Sequence, residues 1–297
     1  MKRYLHRTEV EVLTMNKMLD SIPSLPIADW IETLMDWLTE NFASMFSFIQ
    51  KTGKNSMESF TDALLYIPPV VFILIVAIIA FFATKKKFGL AVFSVVGLLF
   101  IYNQGLWKEL MNTVTLVVFS SVIAILIGIP IGIFMSKSRV ADNIIKPILD
   151  FMQTMPGFVY LIPAVAFFGI GVVPGVFASV IFALPPTVRF TNLGIRQVPK
   201  ELEEAADSYG STGWQKLFKL ELPLAKSTIM AGINQTVLLS LSMVVIASMI
   251  GAPGLGRDVL SALQRAQVGN GFVAGISLVI FAIIIDRLTQ SLNKKKY

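Results

Sequence analysis

Seven uncharged stretches, each long enough to cross or nearly cross a lipid bilayer, constrain this chain more than any other feature. They run over residues 63–83, 88–107, 110–135, 157–173, 174–188, 227–250 and 271–285. A helix needs about 20 apolar residues to cross the hydrocarbon layer. The pattern predicts an all-α membrane protein with about seven transmembrane helices. Only "GIGVVPG" separates the fourth stretch from the fifth, so residues 157–188 form either a short hairpin or a broken re-entrant element.

The composition agrees with a membrane protein and excludes several kinds of chemistry. Hydrophobic residues make up 55% of the 297 residues and charged residues 15%, against about 25% in an ordinary soluble domain. The chain has no cysteine and a single histidine, His6, in its polar N-terminal part. Disulfides, cysteine-based metal sites and histidine-based catalysis therefore lack the residues that they need. We predict no catalytic residue and no metal site in this chain.

The basic residues near the ends of the stretches predict the orientation in the membrane. Sixteen Lys and Arg fall into four clusters that alternation places on one face. Besides the long N-terminal tail, the other face holds only Lys108, Arg257 and Arg265. The clusters are Lys85, Lys86 and Lys87; Lys137, Arg139 and Lys146; Arg189, Arg196, Lys200, Lys216, Lys219 and Lys226; and Arg287, Lys294, Lys295 and Lys296. Because basic loops stay in the cytoplasm, we expect the N-terminus outside and the C-terminus inside.

The regions at the two ends of the chain differ in character from the apolar centre. Residues 1–62 are predicted to form a tail that contains one amphipathic helix, at about residues 29–51. Its apolar residues recur at steps of three or four: Ile31, Leu34, Leu38, Phe42, Met45 and Ile49. We expect this helix to lie on membrane lipid or against the bundle. Residues 63–106 would add two transmembrane helices, and residues 291–297 would form a basic tail.

The sequence contains no motif for binding ATP itself. The phosphate-binding pattern G-x-x-x-x-G-K-[ST] is absent, and "GAPGLG" at 251–256 has no βαβ context, so a tight loop is expected there. None of the seven stretches contains a charged residue or a histidine, which disfavours a proton-coupled carrier. Sodium coupling through backbone carbonyls remains open.

One charged segment interrupts the apolar chain, "ELEEAADSYGSTGWQKLFKLELPLA" at residues 201–225. Pro199 and the acids that follow it suit a helix N-terminus, and Gly210 suits the helix end. The apolar face of this helix would consist of Leu202, Ala205, Ala206 and Tyr209. Such a short helix could lie on the bilayer or insert into a groove of a partner protein, and periodicity alone leaves both open.

This segment resembles the cytoplasmic motif of permease subunits in bacterial ABC importers: E-A-A, three residues, G, nine residues, I-x-L-P. The matching residues are Glu204, Ala205, Ala206, Gly210, Leu220, Leu222 and Pro223, with Leu220 in place of the isoleucine. The resemblance implies that the loop at about residues 199–223 carries a coupling helix, which sits in a cleft of the ATPase subunit. Trp214, Leu217, Phe218 and Leu222 would anchor this helix, and Pro223 would separate it from the next span.

The resemblance extends over about residues 107–290, a type I permease core. Three stretches, together with the N-terminal extension, resemble the glycine betaine/proline permeases of the osmoprotectant uptake group: "QTMPGFVYLIPAVAFFGIG", "PPTVRFTNLGIRQVP" and "MIGAPGLG". The resemblance implies a non-catalytic transport subunit of the bacterial cell membrane, with no cofactor of its own. A partner ATPase would use ATP and Mg²⁺, and a separate receptor outside the membrane would deliver the cargo. Carnitine, choline, proline or another amino acid remain alternative cargoes, and an ion-coupled secondary carrier is a further alternative.

The resemblance also implies that a second copy of the chain completes the translocation pathway. A quaternary ammonium compound without net charge can pass along aromatic faces, since cation–π contacts of about 0.5–2 kcal/mol are weak enough to release it. The candidate lining residues are Phe158, Tyr160, Asn234 and Gln235. The aromatic residues can equally pack or face lipid, and the amides can equally join helices. Membrane lipid is expected as a further partner, and nucleic acid is not.

Overall fold

The computed structural model describes residues 25–84 and 88–293. Within these ranges every regular element is a helix, so the predicted all-α class is confirmed. The expectations on His6, on the lysines at 85–87 and on the lysines at 294–296 lie outside the described residues.

The chain divides into two compact units, residues 1–43 and residues 44–297. The described part of the first unit contains α1 (Ile27–Asn41), whose apolar side chains Ile31 and Leu34 are exposed. The single helix expected at about 29–51 is two helices, because α1 ends at Asn41. The Asn41 side-chain amide donates to the Trp37 carbonyl at 2.7 Å and competes there with the backbone ladder.

The second unit opens with α2 (Ala43–Tyr66), α3 (Pro69–Ala83) and α4 (Phe88–Asn103). The axes of α2 and α3 differ by 95°, because Pro68 and Pro69 cannot continue the helix that precedes them. The bend lies inside the apolar stretch at 63–83, so only α3 forms the apolar rod that was expected there.

The remaining elements, from Trp107 onward, cover the region that the sequence predicts to be the permease core. They are α5 (Trp107–Lys137), α6 (Arg139–Thr154), a 3₁₀ turn (Gly157–Tyr160), α7 (Leu161–Phe168), α8 (Val172–Arg196), α9 (Lys200–Ser208), α10 (Gly213–Lys216), a π-helical turn (Leu217–Glu221), α11 (Leu222–Ser248), α12 (Leu255–Gln264) and α13 (Val268–Asn293). The 3₁₀ turn with α7 bends from α6 by 107°. The stretch at 157–173 is therefore the second half of a bent element, and the stretch at 174–188 lies inside α8.

Four helices of the described chain are long and apolar enough to cross a membrane, or up to six if each bent pair is one span. The bent pairs are α2 with α3 and α6 with α7. At 16 residues, α4 is shorter than a span ordinarily needs. The expected number of about seven is reached only when α4 is counted as well.

Three helix ends meet on one side of the second unit, which we call the coupling side. Lys137 ends α5 and pairs with Glu221, immediately before α11. Arg196 ends α8 and donates to the Met135 carbonyl of α5 at 2.9 Å. Hence α5 and α8 run toward the coupling side, and α11 runs away from it.

The opposite ends of these helices meet on the far side. There the Gly171 amide donates to the Ile250 carbonyl at 2.9 Å, and the Leu255 amide donates to Thr113 Oγ1 at 2.9 Å. Since α6 begins on the coupling side and α8 begins on the far side, the bent α6–α7 element connects the two sides.

The helices α5, α8 and α11 pack closely because small residues lie where they cross. A Cβ atom on Gly132 of α5 would lie 2.6 Å from the Val188 carbonyl oxygen of α8. Thr187 of α8 and Thr236 of α11 share a hydrogen bond of 2.7 Å between their hydroxyl oxygens. Close packing and buried hydroxyl pairs are the forces expected between helices within lipid.

Candidate functional site

The coupling segment, residues 199–223, connects α8 with α11 on the coupling side. Pro199 precedes α9 and accepts the first hydrogen bond of the helix, from the Leu202 amide at 3.1 Å. Glu201 and Glu203 lie in the first turn of α9, where carboxylates interact favourably with the helix dipole. The helix predicted from the acids after Pro199 is therefore present, over nine residues.

The end of α9 is fixed by Gly210, as the sequence predicts. Gly210 has a φ of +74°, a left-handed conformation in which side chains with a Cβ are strained. Its amide donates to the Asp207 carbonyl at 2.9 Å, and the Ser211 amide donates to the Ala206 carbonyl at 3.0 Å. These two bonds form a Schellman motif, which stops α9 and reverses the chain toward α10.

The short helix α10 is joined to α9 by an ion pair. Thr212 and Gln215 form a reciprocal capping box at the start of α10. Lys216 then donates to both carboxylate oxygens of Asp207, at 2.9 and 2.8 Å. The Schellman turn, the capping box and the ion pair together hold α9 in a defined direction relative to α10.

The first half of the motif is accessible from solvent. Glu204, Ala205 and Gly210 are exposed, and Ala206 is half-buried. The apolar face is uncovered in the chain, since Leu202 is 43% and Tyr209 is 91% exposed. A short helix with acids on one face and uncovered apolar side chains on another is suited to docking into a partner protein.

The second half of the motif packs into the helix bundle. Leu220 and Leu222 are half-buried and Pro223 is exposed. Leu217 and Leu222 join an apolar cluster with Ile195 of α8, as expected of anchors. The aromatic anchors differ from expectation: Trp214 is 73% and Phe218 is 57% exposed, and their rings stack on each other at 5.6 Å.

The helix continues without interruption from Gly213 to Ser248, so the expected separation at Pro223 is wrong. A π-helical turn precedes the proline, in which the Leu222 amide donates to the Leu217 carbonyl five residues earlier. Pro223 falls in the first turn of α11, and the wider turn before it lets the helix pass the proline without a break.

Sequence reasoning missed Glu221, the variable position of the motif. Its side chain is 0% exposed, and its Oε2 atom pairs with Lys137. The other oxygen, Oε1, has no hydrogen-bond partner in the described part of the chain. The available signal was a carboxylate between two leucines, with a lysine ending an earlier span, but nothing in the sequence shows that the two meet.

A second polar group lies on the coupling side beside this pair. Arg196 forms an ion pair with Asp142 of α6 at 3.3 Å, and Asn192 donates to the same carboxylate at 2.9 Å. The arginine also reaches the Met135 carbonyl of α5. Thus α5, α6 and α8 are joined by charged groups close to the coupling segment.

Two of the pathway candidates are engaged in contacts within the chain. Tyr160 is 5% exposed and donates from its hydroxyl to the Met152 carbonyl at 2.7 Å. Asn234 of α11 donates to Asp286 of α13 at 3.1 Å and accepts a hydrogen bond from Thr289. Both residues therefore join elements of the chain.

The other two pathway candidates are exposed. Phe158 is 55% exposed, on the 3₁₀ turn that packs against α8 and α11. Gln235 is exposed near the centre of α11 and makes no hydrogen bond within residues 25–84 and 88–293. Because an uncovered amide in lipid is costly, the Gln235 face of α11 is suited to a second chain or to a polar pathway.

A cavity of about 570 Å³ opens on the far side, between α2 and the ends of the core helices. Lys54, Glu58 and Asp62 of α2 line it together with Lys108 of α5. Lys54 and Glu58 pair at 3.8 Å and remain exposed to solvent. Ammonium and carboxylate groups in one cavity can attract both ends of a small zwitterion.

Several apolar helices of alternating direction, with a short exposed helix on one side, indicate a membrane subunit with a surface suited to a partner protein. Comparison with known proteins agrees with this class. Residues 124–296 match the family described as "Binding-protein-dependent transport system inner membrane component". The chain belongs to this family, whose membership implies a substrate-binding protein and an ATP-hydrolysing subunit as partners.

Curated relatives cover nearly the whole chain. The glycine betaine/carnitine transport permease protein GbuB of Listeria monocytogenes is 58% identical, over 93% of this chain and 99% of the relative. The glycine betaine transport system permease protein OpuAB of Bacillus subtilis is 48% identical, over 94% and 98%. The glycine betaine/proline betaine permease protein ProW of Escherichia coli is 45% identical, over 91% and 76%.

Solved structures share the fold at low sequence identity. An inward-facing form of the MetNI methionine ABC transporter gives a TM-score of 0.57 at 19% identity, over 63% of this chain and 94% of that chain. An amino acid ABC transporter crystallised with histidines gives a TM-score of 0.52 at 20% identity, over 65% of this chain and 92% of that chain. The second unit therefore contains the fold of an ABC importer permease, as the sequence predicts.

Proposed function

We propose that this chain forms the membrane pathway of an ATP-driven importer for glycine betaine or a related quaternary ammonium or proline-type osmoprotectant. The observation that carries the proposal is 58% identity over 93% of the chain to a permease protein named for glycine betaine and carnitine. Two further relatives at 48% and 45% identity are also named for glycine betaine transport. Carnitine is the favoured second cargo, because the most similar of these three names includes it.

The coupling segment is the part of the chain through which ATP hydrolysis drives transport. The exposed α9 docks on the ATPase subunit, with Glu204, Ala205, Ala206 and Gly210 in the docking helix. Leu220, Leu222 and Pro223 connect that helix to α11. ATP and Mg²⁺ are bound by the partner, and this chain holds no cofactor.

Two copies of the chain enclose the pathway. The exposed Gln235 supports this arrangement, because an uncovered amide within a span needs a polar environment. Phe158 and Gln235 line the route, whereas Tyr160 and Asn234 contribute to it by holding the helices beside them. The remaining apolar surface faces membrane lipid, and nucleic acid is not a partner.

The coupling side faces the cytoplasm, and the far side faces the receptor. Lys137, Arg196 and Lys216 all lie on the coupling side, in agreement with the rule that basic residues stay inside. If α4 and the bent pairs are spans, the helix directions place the N-terminus outside and the C-terminus inside. The cavity beside Lys108 then opens toward the receptor that delivers the cargo.

Reconstitution of the complete complex tests the proposed function. The permease, its ATPase and its receptor are placed in proteoliposomes, and uptake of radiolabelled glycine betaine is measured with ATP and with an ion gradient alone. We expect uptake that needs ATP and receptor and that excess unlabelled glycine betaine suppresses. Competition by carnitine, choline or proline alone would reassign the cargo. Uptake driven by the ion gradient without ATP would instead show a secondary carrier.

A further inference from the structure

Glu221 is a fully buried charged residue at the junction of the coupling segment and the spans. Its side chain is 0% exposed, whereas that of Lys137, its partner, is 44% exposed. Only Oε2 of the carboxylate meets the ammonium group, and Oε1 has no hydrogen-bond partner in the described part of the chain. The buried charge thus depends on one contact, to the last residue of α5.

Such a pair is a costly way to hold two helices together. The desolvation penalty of a buried ion amounts to several kcal/mol, and apolar side chains of similar volume often give equal or greater stability. Leu217 and Leu222, on either side of Glu221, already supply apolar contacts to the bundle. A net gain in stability is therefore a weak explanation for the pair. The pair is better explained by a geometric role, in which Glu221 determines that the coupling segment meets the end of α5 at Lys137.

The backbone presents Glu221 to α5 by a local distortion. Residues Leu217–Glu221 form a π-helical turn in an otherwise continuous helix from Gly213 to Ser248. A π turn shifts the helical register, so side chains before and after it point to different faces from those in a regular α-helix. The distortion ends at the residue that meets Lys137.

We propose that Glu221 is the positioning residue that transmits movement of α9 to the spans. By holding Lys137 throughout the transport cycle, it makes the coupling segment and α5 move as one body. Lys216 and Asp207 hold α9 to α10 on one side of the π turn, and Glu221 holds the other side to α5. The proposal rests on the proposed docking of α9 to an ATPase.

The first test removes the charge and keeps the shape, with Glu221→Gln in the complete complex. We expect the complex to assemble and to hydrolyse ATP, while the glycine betaine moved per ATP falls at least about fivefold, the low end of measured couplings between sites. Asp150→Asn is the matched control, because it breaks an ion pair with Arg189 in which both side chains are exposed, and it should leave this ratio unchanged. A normal ratio in Glu221→Gln would overturn the proposal.

The second test restores the link covalently. Because the chain has no cysteine, Lys137→Cys with Glu221→Cys creates the only two thiols in the permease. A reducible bifunctional thiol reagent can bridge them in the assembled complex. We expect a low ratio of cargo to ATP before bridging, recovery after bridging, and loss again on reduction. A bridged complex that stays uncoupled or stops turning over would show that the two elements must separate, and would overturn the proposal.

The comparison of bridged and reduced forms within one folded protein also decides the matter if Glu221→Gln fails to assemble. The proposed function and the role of Glu221 are contradicted by different results. A wild-type complex that does not take up glycine betaine contradicts the proposed function. A wild-type complex that does so, with Glu221→Gln unchanged, contradicts only the role of Glu221.

Discussion

The interior of the helix bundle and its coupling side are held together by different interactions. In the interior, α5, α8 and α11 meet through glycines and paired hydroxyls, such as Thr187 with Thr236 at 2.7 Å. On the coupling side, the same helices are joined by ion pairs, Lys137 with Glu221 and Arg196 with Asp142. The interior is therefore held by close packing and hydroxyl pairs, whereas the coupling side adds ion pairs to its apolar contacts.

The difference follows from the surroundings of each region. Lipid gives no hydrophobic drive between apolar helices, so close backbone approach must supply the interior's stability. At the coupling side, charges such as Lys137 and Arg196 keep contact with water, which lowers the cost of placing them there. Substitutions in the interior should lower stability, and those on the coupling side should lower the transport per ATP.

The largest effect is expected from Gly132→Leu in the interior. A Cβ atom there would lie 2.6 Å from the Val188 carbonyl oxygen, which cannot move without moving α8. We expect a loss of about 3 kcal/mol, the upper end for overpacking. The loss of stability should appear as a lower aggregation temperature of the purified permease in detergent. Gly275→Leu is the control, because no other helix among residues 25–84 and 88–293 comes within 4 Å of the added Cβ. Equal losses in both variants would contradict the close packing of α5 on α8.

The next largest effect is expected from Gly210→Val, which tests backbone strain separately from steric contact. Within the described part of the chain the added Cβ would meet no neighbour within 4 Å, so the cost comes from the φ of +74° and amounts to about 1–2 kcal/mol. We expect α9 to lose its direction and uptake per ATP to fall severalfold, with the thermal stability of the spans retained. Gly210→Asn should remain close to wild type, since asparagine tolerates this conformation. If Gly210→Val and Gly210→Asn gave the same uptake per ATP, the positive φ at residue 210 would not be the cause of the loss.

A smaller effect is expected from Asn234→Leu, at the contact of α11 with α13. Loss of the hydrogen bonds to Asp286 and Thr289 should cost about 1 kcal/mol. Thermal stability should fall while the KM for cargo stays constant, because the amide joins helices. Gln235→Leu should do the reverse, with unchanged stability and a raised KM. A raised KM in Asn234→Leu would show that Asn234 lines the translocation pathway.

The smallest effect concerns Asp258 of α12, on the far side. Burial raises the pKa of Asp258 above its usual value, the nearby Glu109 carboxylate raises it further, and Arg257 opposes the rise. The folded protein therefore keeps this proton to a higher pH than the unfolded chain does, and stability falls as pH rises through that window. We expect Asp258→Asn to be more stable than wild type at neutral pH, by about 1 kcal/mol or less. The difference should vanish near pH 3, and a gain that is the same at all pH values would exclude this cause.

The sequence was sufficient to predict those features that depend on local pattern. Helix α9 and its end at Gly210 follow from a proline, acids and a glycine at fixed offsets, and the structure contains both. The all-helical class follows from the long apolar stretches. The bend near Pro68 escaped prediction because an apolar run looks the same whether it is straight or bent. The bend near Pro156 escaped prediction because it joins the charged helix α6 to the apolar stretch that begins at residue 157.

The contacts between distant residues could not be predicted in the same way. Glu221 looked like a variable motif position, and its importance depends on Lys137, which is 84 residues earlier. Asn234 was open to two interpretations until Asp286 appeared beside it. Trp214 was expected to anchor the segment, yet it stacks on Phe218 at the surface. In each case the partner was set by tertiary packing.

Docking of the short acidic helix on the coupling side is the claim on which the other interpretations depend. Leu202 lies on the uncovered apolar face of α9, and the chain contains no cysteine, so Leu202→Cys provides a single labelling site. The label is a photoactivatable crosslinker, and the complete complex is irradiated in liposomes with and without ATP. We expect covalent adducts with the ATPase subunit. Adducts with phospholipid alone throughout turnover would contradict the docking of α9 on the ATPase subunit.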